Sequence, residues 1–401
     1  MKPKKKLIVF ASTFPRWKDD TNPPFVYELS KRLTNEFDVH VLAPSYPKAK
    51  DFEIMDKMKV HRFHYFLRDY EKLAGSGGIL PTLKKNKWFY FQVPFFMTAE
   101  FFALKKLVKQ IKPDVIHAHW IIPQGFISAL VHKLTGVKYV VTTHGGDIFG
   151  LQGKIPTTMK KFTLRNAKDI TVVSTAIKKE IEEKIDSKLN VKVIPMGVDS
   201  KLFNPDKKDH KIKKQYGING SFLLFVGRLS EKKGVRYLIE AMPEVVKHNP
   251  KTKLMIIGGG ELEKELKELA IKLNMQNNII FKGPIPNKDL PKYYATADIF
   301  IGPSIVAKGG DTEGFGLTFV EAGMSGCWLI GTNVGGILDI IKDGKNGFIV
   351  KEKDSKEIAD RIINIFIDSE SSEKIRKRGI KFISSNFDWE NISAHYGVIL
   401  K

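Results

Sequence analysis

Cysteine is nearly missing from this sequence. Of 401 residues only Cys327 carries a thiol, so no internal disulfide can form and a reducing compartment is expected. Cys327 lies in an apolar run with Trp328, Leu329 and Ile330, the setting of a buried structural thiol rather than a nucleophile. Long apolar runs are missing too. No stretch of about eighteen uncharged apolar residues occurs, which excludes a spanning helix. The nearest, residues 88–104, is crowded with Phe but broken by Gln92, Pro94 and Glu100. The apolar run at 7–11 is too short for a signal-peptide core and reads as a first strand, so a cytoplasmic location is expected. Acidic residues are in deficit: 44 against 66 Lys and Arg, a formal charge of +22. Such an excess suits nucleic acid, anionic lipid head groups, or a plain solvated surface. The lysines are spread along the whole chain without a nucleic-acid-binding motif, which disfavours nucleic acid as a partner.

The residues that are present read as two α/β domains. The length exceeds that at which a single core keeps growing. Short apolar runs alternate with helical patterns, which predicts parallel sheets wound with helices. In the first half, strands are expected at 6–11, 39–43, 60–63, 115–118, 139–142 and 170–173, with helices at 25–33, 95–111, 125–134 and 175–183. After Met196-Gly-Val-Asp199 a second series gives strands at 222–226, 253–257, 279–281, 299–302 and 328–331, with helices at 235–248, 262–273, 290–294 and 356–367. The polar, basic stretch 200–220 reads as a linker. Both halves read as doubly wound, Rossmann-like units, in which ligands bind beyond the carboxyl ends of the strands. Two such units facing each other would enclose a deep cleft.

The chemistry concentrates in four segments. Asp311-Thr-Glu-Gly-Phe-Gly-Leu-Thr-Phe-Val-Glu321 places two carboxylates, Glu313 and Glu321, around a Gly-Phe-Gly turn that opens a helix. Free N–H groups and a helix dipole there suit an anion, and the carboxylates suit hydroxyls, a pairing that fits a nucleotide sugar. Phe225-Val-Gly-Arg-Leu-Ser-Glu-Lys-Lys-Gly234 brings Arg228 and Lys233 to a strand-to-helix turn, where two cations would clamp a diphosphate and stabilise it as a leaving group. Ile257-Gly-Gly-Gly-Glu261 either lets a nucleotide approach the backbone at Gly258 and Gly259 or is a plain tight turn. In Thr143-His-Gly-Gly-Asp147, His144 ends a strand and Asp147 is expected to fix its ring tautomer. His117 and His119 end another strand; no third ligand accompanies them, so they read as packing or cleft-lining side chains rather than a metal pair.

Taken together, these segments resemble the retaining glycosyltransferases of GT-B fold, family 4. Glu313 and Glu321 match the family's E-x7-E signature, and Gly227-Arg228 through Lys233-Gly234 its G-R-x4-K-G segment. His144 matches its T-H-G-x-D motif, and Ile194-Pro-Met-Gly-Val-Asp199 its domain boundary. Gly335-Gly336 and the segment Gly344 to Gly347 match the family's stretch after the acidic helix, and Phe387-Asp-Trp-Glu-Asn-Ile392 resembles the C-terminal helix that returns to the first domain. The resemblance implies an acceptor domain over 1–199, a donor domain over 200–375, and a C-terminal helix over 376–401 crossing back. It implies that Arg228 and Lys233 hold the donor diphosphate, Glu321 the ribose hydroxyls and Glu313 the sugar hydroxyls. Gly314, Phe315 and Gly316 would cradle sugar and phosphate through their backbone. Ser304 would line the nucleotide pocket, the backbone from Gly283 to Ile285 would meet the base, and His144 would contact the transferred sugar. The chain departs from the family in its first loop: many members place Gly-Gly there, where this sequence has Thr21-Asn-Pro-Pro-Phe25, and proline has no N–H to offer a phosphate.

The mechanism implied is departure of the nucleoside diphosphate while an acceptor hydroxyl attacks from the same face. No Asp-x-Asp occurs and the cations already supply the needed charge, so neither metal nor other cofactor is expected. A nucleotide-sugar epimerase or a non-catalytic nucleotide-sugar binder is the alternative. For the acceptor, Trp88-Phe-Tyr-Phe91 and Phe95-Phe-Met97 beside Lys84, Lys85 and Lys87 read either as first-domain core or as an interfacial patch. The second reading implies an anionic membrane surface, a peripheral site on the inner membrane face, and a lipid-linked or polysaccharide acceptor.

Overall fold

The structure, a computed structural model, describes residues 3–17, 20, 24–75 and 78–401. The first-loop stretch at 21–23 therefore lies outside the described residues. The chain divides into two compact units, one of Met1–Met196 with Glu390–Lys401 and one of Gly197–Trp389.

The first unit holds β1 (Lys5–Phe10), β2 (Phe37–Pro44), β3 (Phe52–Met55), β4 (Met58–Phe63), β5 (Val115–His119), β6 (Tyr139–Thr143), β7 (Asp169–Val172) and β8 (Val191–Val193). They form one sheet in the order β3-β4-β2-β1-β5-β6-β7-β8. All pairings are parallel except β3 with β4. The second unit holds β9 (Phe222–Val226), β10 (Lys253–Ile257), β11 (Ile279–Gly283), β12 (Ile299–Gly302), β13 (Trp328–Thr332) and β14 (Phe348–Val350), wholly parallel in the order β11-β10-β9-β12-β13-β14. In both sheets the central strands are buried throughout, as β5, β6 and β9 show. Helices cover both faces of such strands, so they read as unbroken apolar runs rather than alternating ones.

The helix Val235–His248 illustrates how a sequence pattern becomes packing. Val235, Leu238, Ile239, Met242 and Val245 recur at helical spacing and are all buried, in one core cluster with Ile358 and Ile362 of the helix Ser355–Ile367. Asp354 caps that second helix, accepting from the Glu357 N–H at 2.9 Å.

Two expectations about organisation are corrected. Residues 200–220 are not a linker. They contain the helix His210–Gln215, bury Phe203, Ile212 and Ile218, and join the second unit through the Asp209 N–H, which donates to Thr296 Oγ1 at 2.9 Å. Nor is 376–401 a single returning helix. It comprises most of a helix Ser369–Phe387, in the second unit, and a separate helix Trp389–Leu400, of which 390 onward belongs to the first. Tyr396 is fully buried there and its hydroxyl donates to the Ile194 carbonyl at 3.2 Å. The aromatic segment divides between its two readings. Phe96 and Leu104 are core, whereas Trp88, Tyr90, Phe91, Phe95 and Phe102 are exposed. No helix among the described residues is long and apolar enough to cross a membrane.

Candidate functional site

In the second unit the chemistry gathers at the carboxyl ends of β9, β12 and β13. After β9 the chain turns through Gly227, Arg228 and Leu229 into a 3-10 turn, Glu231–Lys233, closed by Gly234 at φ 62°. A side chain at Gly234 would place its Cβ 1.9 Å from the Pro303 carbonyl oxygen, so glycine is required where this turn meets the end of β12. The Ile305 N–H in turn donates to the Lys232 carbonyl at 2.8 Å. Lys233 thereby reaches back over Gly227: a Cβ built there would lie 3.7 Å from Lys233 Cε. Its ammonium donates to Glu313 Oε2 in a close ion pair.

Glu313 also accepts from Ser304 Oγ at 3.5 Å, and Ser304 is buried. The Ser304 carbonyl is fixed by Thr332 Oγ1 at 2.5 Å. Lys232 pairs with Asp311 at 3.0 Å, pinning the start of the same loop. Burial pushes the Glu313 carboxyl up, but Lys233 and Lys232, with hydrogen bonds from Lys233 and Ser304, outweigh it and hold the group below its ordinary range and charged. The side chains of the two partners are only 18% (Lys233) and 12% (Glu313) exposed and satisfy each other.

Gly316, at φ 100°, opens the helix Leu317–Met324, and Glu321 sits one turn inside it. Tyr294, fully buried, donates its hydroxyl to Glu321 Oε2 at 2.8 Å. Burial nevertheless pushes Glu321 up to about 7, since the Tyr294 bond only partly offsets it. Gly314 and Phe315 are buried, the Phe315 ring lying 5.7 Å from that of Phe387.

The remaining glycines divide by what they face. Cβ atoms at Gly258 and Gly260 would sit 1.9 Å from the Gly227 and 2.4 Å from the Leu229 carbonyl oxygens. Those two glycines thus let β10 carry the cationic turn against itself. Gly259 is open by comparison, with nothing nearer than Glu263 at 3.6 Å. Gly283, at φ 74°, has open space at its Cβ position, and Ile285 two residues on is partly exposed. Gly335 and Gly336 press on the acidic loop: a Cβ at Gly335 would lie 2.0 Å from the Glu313 carbonyl oxygen.

In the first unit His144 follows β6. Its Nε2 lies 3.0 Å from His119 Nδ1, and Phe25 and Trp120 flank its ring at 4.9 Å and 5.0 Å. Asp147 does not orient this ring. Its two oxygens accept from Thr143 Oγ1 and the Ile121 N–H, each at 2.6 Å, and the ring partner of His144 is His119. Asp147 and His119 are not lining residues either, being 2% and 0% exposed. Burial and His117 push the His144 imidazole down to about 3, so it is neutral at physiological pH. The turn after His144 is secured by Lys160, a buried lysine whose ammonium donates to the Ile148 and Leu151 carbonyls at 3.0 and 2.6 Å.

Tyr294, Trp120 and Lys160 carry no sequence signal that sets them apart. Tyr294 lies in an ordinary amphipathic pattern, and Lys160 is one of many lysines. Trp120 is held at φ 74°, a conformation that costs a bulky residue about 1–3 kcal/mol and is common beside functional sites. Among the described residues no group of three or more His, Cys, Asp or Glu side chains is arranged to hold a metal ion.

Comparison with known proteins bears on both units. The model for glycosyl transferases group 1 matches residues 207–382, and that for glycosyltransferase family 4 matches 24–202. An uncharacterized glycosyltransferase of Methanocaldococcus jannaschii is 28% identical over 320 residues, covering 75% of this chain and 80% of its own. A GDP-mannose-dependent alpha-(1-6)-phosphatidylinositol monomannoside mannosyltransferase of Mycolicibacterium smegmatis is 25% identical over 300 residues, covering 74% and 78%. Among solved structures, the sucrose-phosphate synthase of Thermosynechococcus elongatus superposes with a TM-score of 0.81 at 19% identity, covering 99% of this chain and 98% of that one.

Proposed function

Because this chain belongs to the group 1, family 4 glycosyltransferases of GT-B fold, we propose that it moves a hexose, with retention and without a metal ion, from a nucleotide-diphosphate sugar to a lipid-linked or polysaccharide hydroxyl. The observation that carries this reading is the Lys233–Glu313 pair set beside Ser304 at the ends of adjacent strands. A diphosphate entering there takes over the ammonium of Lys233, with Arg228 at the start of the same turn. Glu313, released from Lys233, accepts hydrogen bonds from sugar hydroxyls. Tyr294 orients Glu321 toward the ribose hydroxyls. The backbone of Gly314 to Gly316 and the N-terminus of the helix Leu317–Met324 face the growing negative charge. Gly283 and Ile285 leave room for a base.

In the transfer step the bond from the anomeric carbon to the β-phosphate oxygen breaks. The acceptor oxygen forms its bond on the same face, and its proton passes to the departing phosphate oxygen. Arg228 and Lys233 stabilise that oxygen as it gains charge, the part a divalent cation would otherwise play. His144 gives a hydrogen bond to the transferred sugar.

A lipid-linked acceptor is supported by the exposed band of Trp88, Phe91 and Phe102, 75%, 57% and 59% accessible, with Lys84, Lys85 and Lys87 at its end. Aromatic anchors beside lysines suit an anionic head-group layer, which gives the protein a peripheral place on the inner membrane face.

The test is incubation with labelled UDP-, GDP- and ADP-sugars and extracted lipid or glycan acceptors, with and without EDTA, then assignment of the anomeric configuration of the product. Transfer with retention, unaffected by EDTA, is expected. Release of an epimerised sugar nucleotide, an inverted linkage, or loss of turnover in EDTA would each overturn the corresponding part.

A further inference from the structure

Three histidines of the first unit, His117, His119 and His144, form a polar cluster of which the family signature accounts for His144 alone. His117 and His119 lie on β5, both fully buried, with ring centroids 4.2 Å apart. His119 Nδ1 meets His144 Nε2 at 3.0 Å, and the two rings are within 18° of parallel. His117 Nε2 meets Thr142 Oγ1 at 2.7 Å, and Thr142 Oγ1 meets Thr171 Oγ1 at 2.6 Å. Thr171 Oγ1 donates to the Val141 carbonyl at 3.4 Å. The second nitrogens, His119 Nε2 and His117 Nδ1, are buried with no hydrogen-bond partner among the described residues.

We propose that His119 is a positioning residue that fixes the tautomer of His144, leaving the His144 proton on Nδ1 so that this ring serves the substrate as a hydrogen-bond donor. Each proton of the cluster needs an acceptor, and that requirement sets its direction. Burial, with His117 and His144 nearby, pushes the His119 imidazole well below its ordinary range, so the ring carries one proton. On Nε2 that proton would be a buried donor with nothing to receive it, which costs about 1–3 kcal/mol and is rare in folded proteins. On Nδ1 it is donated to His144 Nε2. The same rule places the His117 proton on Nε2. Donation then runs from His117 to Thr142, from Thr142 to Thr171, and from Thr171 to the Val141 carbonyl, so that every proton has an acceptor. His144 Nε2 is thus committed as an acceptor. The single proton of this neutral ring sits on Nδ1, and His144 can donate to a hydroxyl or carbonyl oxygen there but cannot take a proton from one. Asp147, Lys160 and Tyr396, whose ring lies 5.3 Å from that of His117, do not compete for it: Asp147 is held by Thr143 and the Ile121 N–H, Lys160 donates to two carbonyls, and the Tyr396 hydroxyl donates to the Ile194 carbonyl.

The consequence for the substrate rests on the reading that His144 touches the transferred sugar; the tautomer itself rests on the cluster alone. The experiment is long-range proton–nitrogen correlation NMR on the full chain labelled at histidine nitrogens, with His144→Gln to assign the signal. The wild type is expected to show His144 as the Nδ1–H form. His119→Asn, which can present an amide N–H where the imidazole Nδ1 stood, is expected to keep that form. His119→Leu, which presents no donor, is expected to release it toward the Nε2–H form and to lower transfer kcat/KM about tenfold, the worth of one hydrogen bond. A wild-type His144 protonated on Nε2 would overturn the inference, as would an unchanged tautomer in a folded His119→Leu protein. Should His119→Leu not fold, the wild-type and His119→Asn spectra decide. A protein with the expected tautomer but no transfer activity would refute the proposed function and leave the positioning role intact.

Discussion

Lys233→Met removes the one cation that pairs directly with Glu313. Because the two side chains are only 18% and 12% exposed, Glu313 is left as a poorly solvated carboxylate with Ser304 and the more distant Lys232 for company. Stranding one member of a fully buried pair costs about 3–5 kcal/mol; residual solvent here brings that to roughly 2–3 kcal/mol. Transfer should fall about 10²- to 10³-fold, the usual loss for one preorganised group facing a developing oxyanion. The two effects separate in a double-mutant cycle read by urea denaturation and by initial transfer rates. In Lys233→Met/Glu313→Gln no unpaired charge remains, so stability should return to within about 1 kcal/mol of wild type. Activity should not return with it. Recovery of transfer along with stability would mean that the pair only holds the loop, and the reasoning about diphosphate binding would be refuted.

Glu321→Gln should act in opposite directions on stability and function. A carboxyl raised to about 7 in the folded state stabilises fully below its unfolded value near 4.5, and that contribution is lost as pH rises through 7. The variant should therefore gain roughly 2–3 kcal/mol on wild type at pH 8 relative to pH 4, while donor KM rises; an equal difference at both pH values would contradict the titration. Gly335→Ala drives a methyl group into the Glu313 carbonyl at a positive φ, so kcat should fall at least tenfold although residue 335 carries no functional group; unchanged kcat would show that the loop tolerates displacement. Wild-type protein should float with anionic vesicles at low salt. Trp88→Ser/Phe91→Ser should not, while keeping transfer to a soluble acceptor; wild-type protein remaining at the bottom would remove the membrane from the account.

The second unit was the more legible half. Its strands are short apolar runs ended by glycine or polar residues, and β9, β10 and β12 lie where that pattern places them. The acidic and basic segments drew attention because charges and glycines clustered at strand ends, and the Lys233–Glu313 contact joins the two. The features that stayed hidden had no local signal. The hairpin between β3 and β4 turns through Asp56 and Lys57 at φ 45° and 69°, without the glycine that advertises such a turn. Residues 200–220 look like a linker in composition, and only tertiary contacts such as that of Asp209 with Thr296 fold them into the second unit. Asp147 is only three residues from His144, yet the short helix Gly146–Phe149 that carries it turns it toward Thr143 and Ile121. His119, distant in sequence, arrives through the parallel register of β5 against β6. Pairings across a sheet leave no trace in a single strand.

The central claim is that the Lys233 turn and the acidic loop hold a nucleoside diphosphate. Isothermal titration of UDP, GDP and ADP into wild type, Lys233→Met and Glu313→Gln tests it without requiring the acceptor. At least one diphosphate should bind the wild type, and bind Lys233→Met at least tenfold more weakly. Glu313→Gln should bind that diphosphate no worse than wild type, since its lysine is no longer occupied, and lose affinity only for the matching nucleotide sugar. Equal binding to wild type and Lys233→Met would contradict the account.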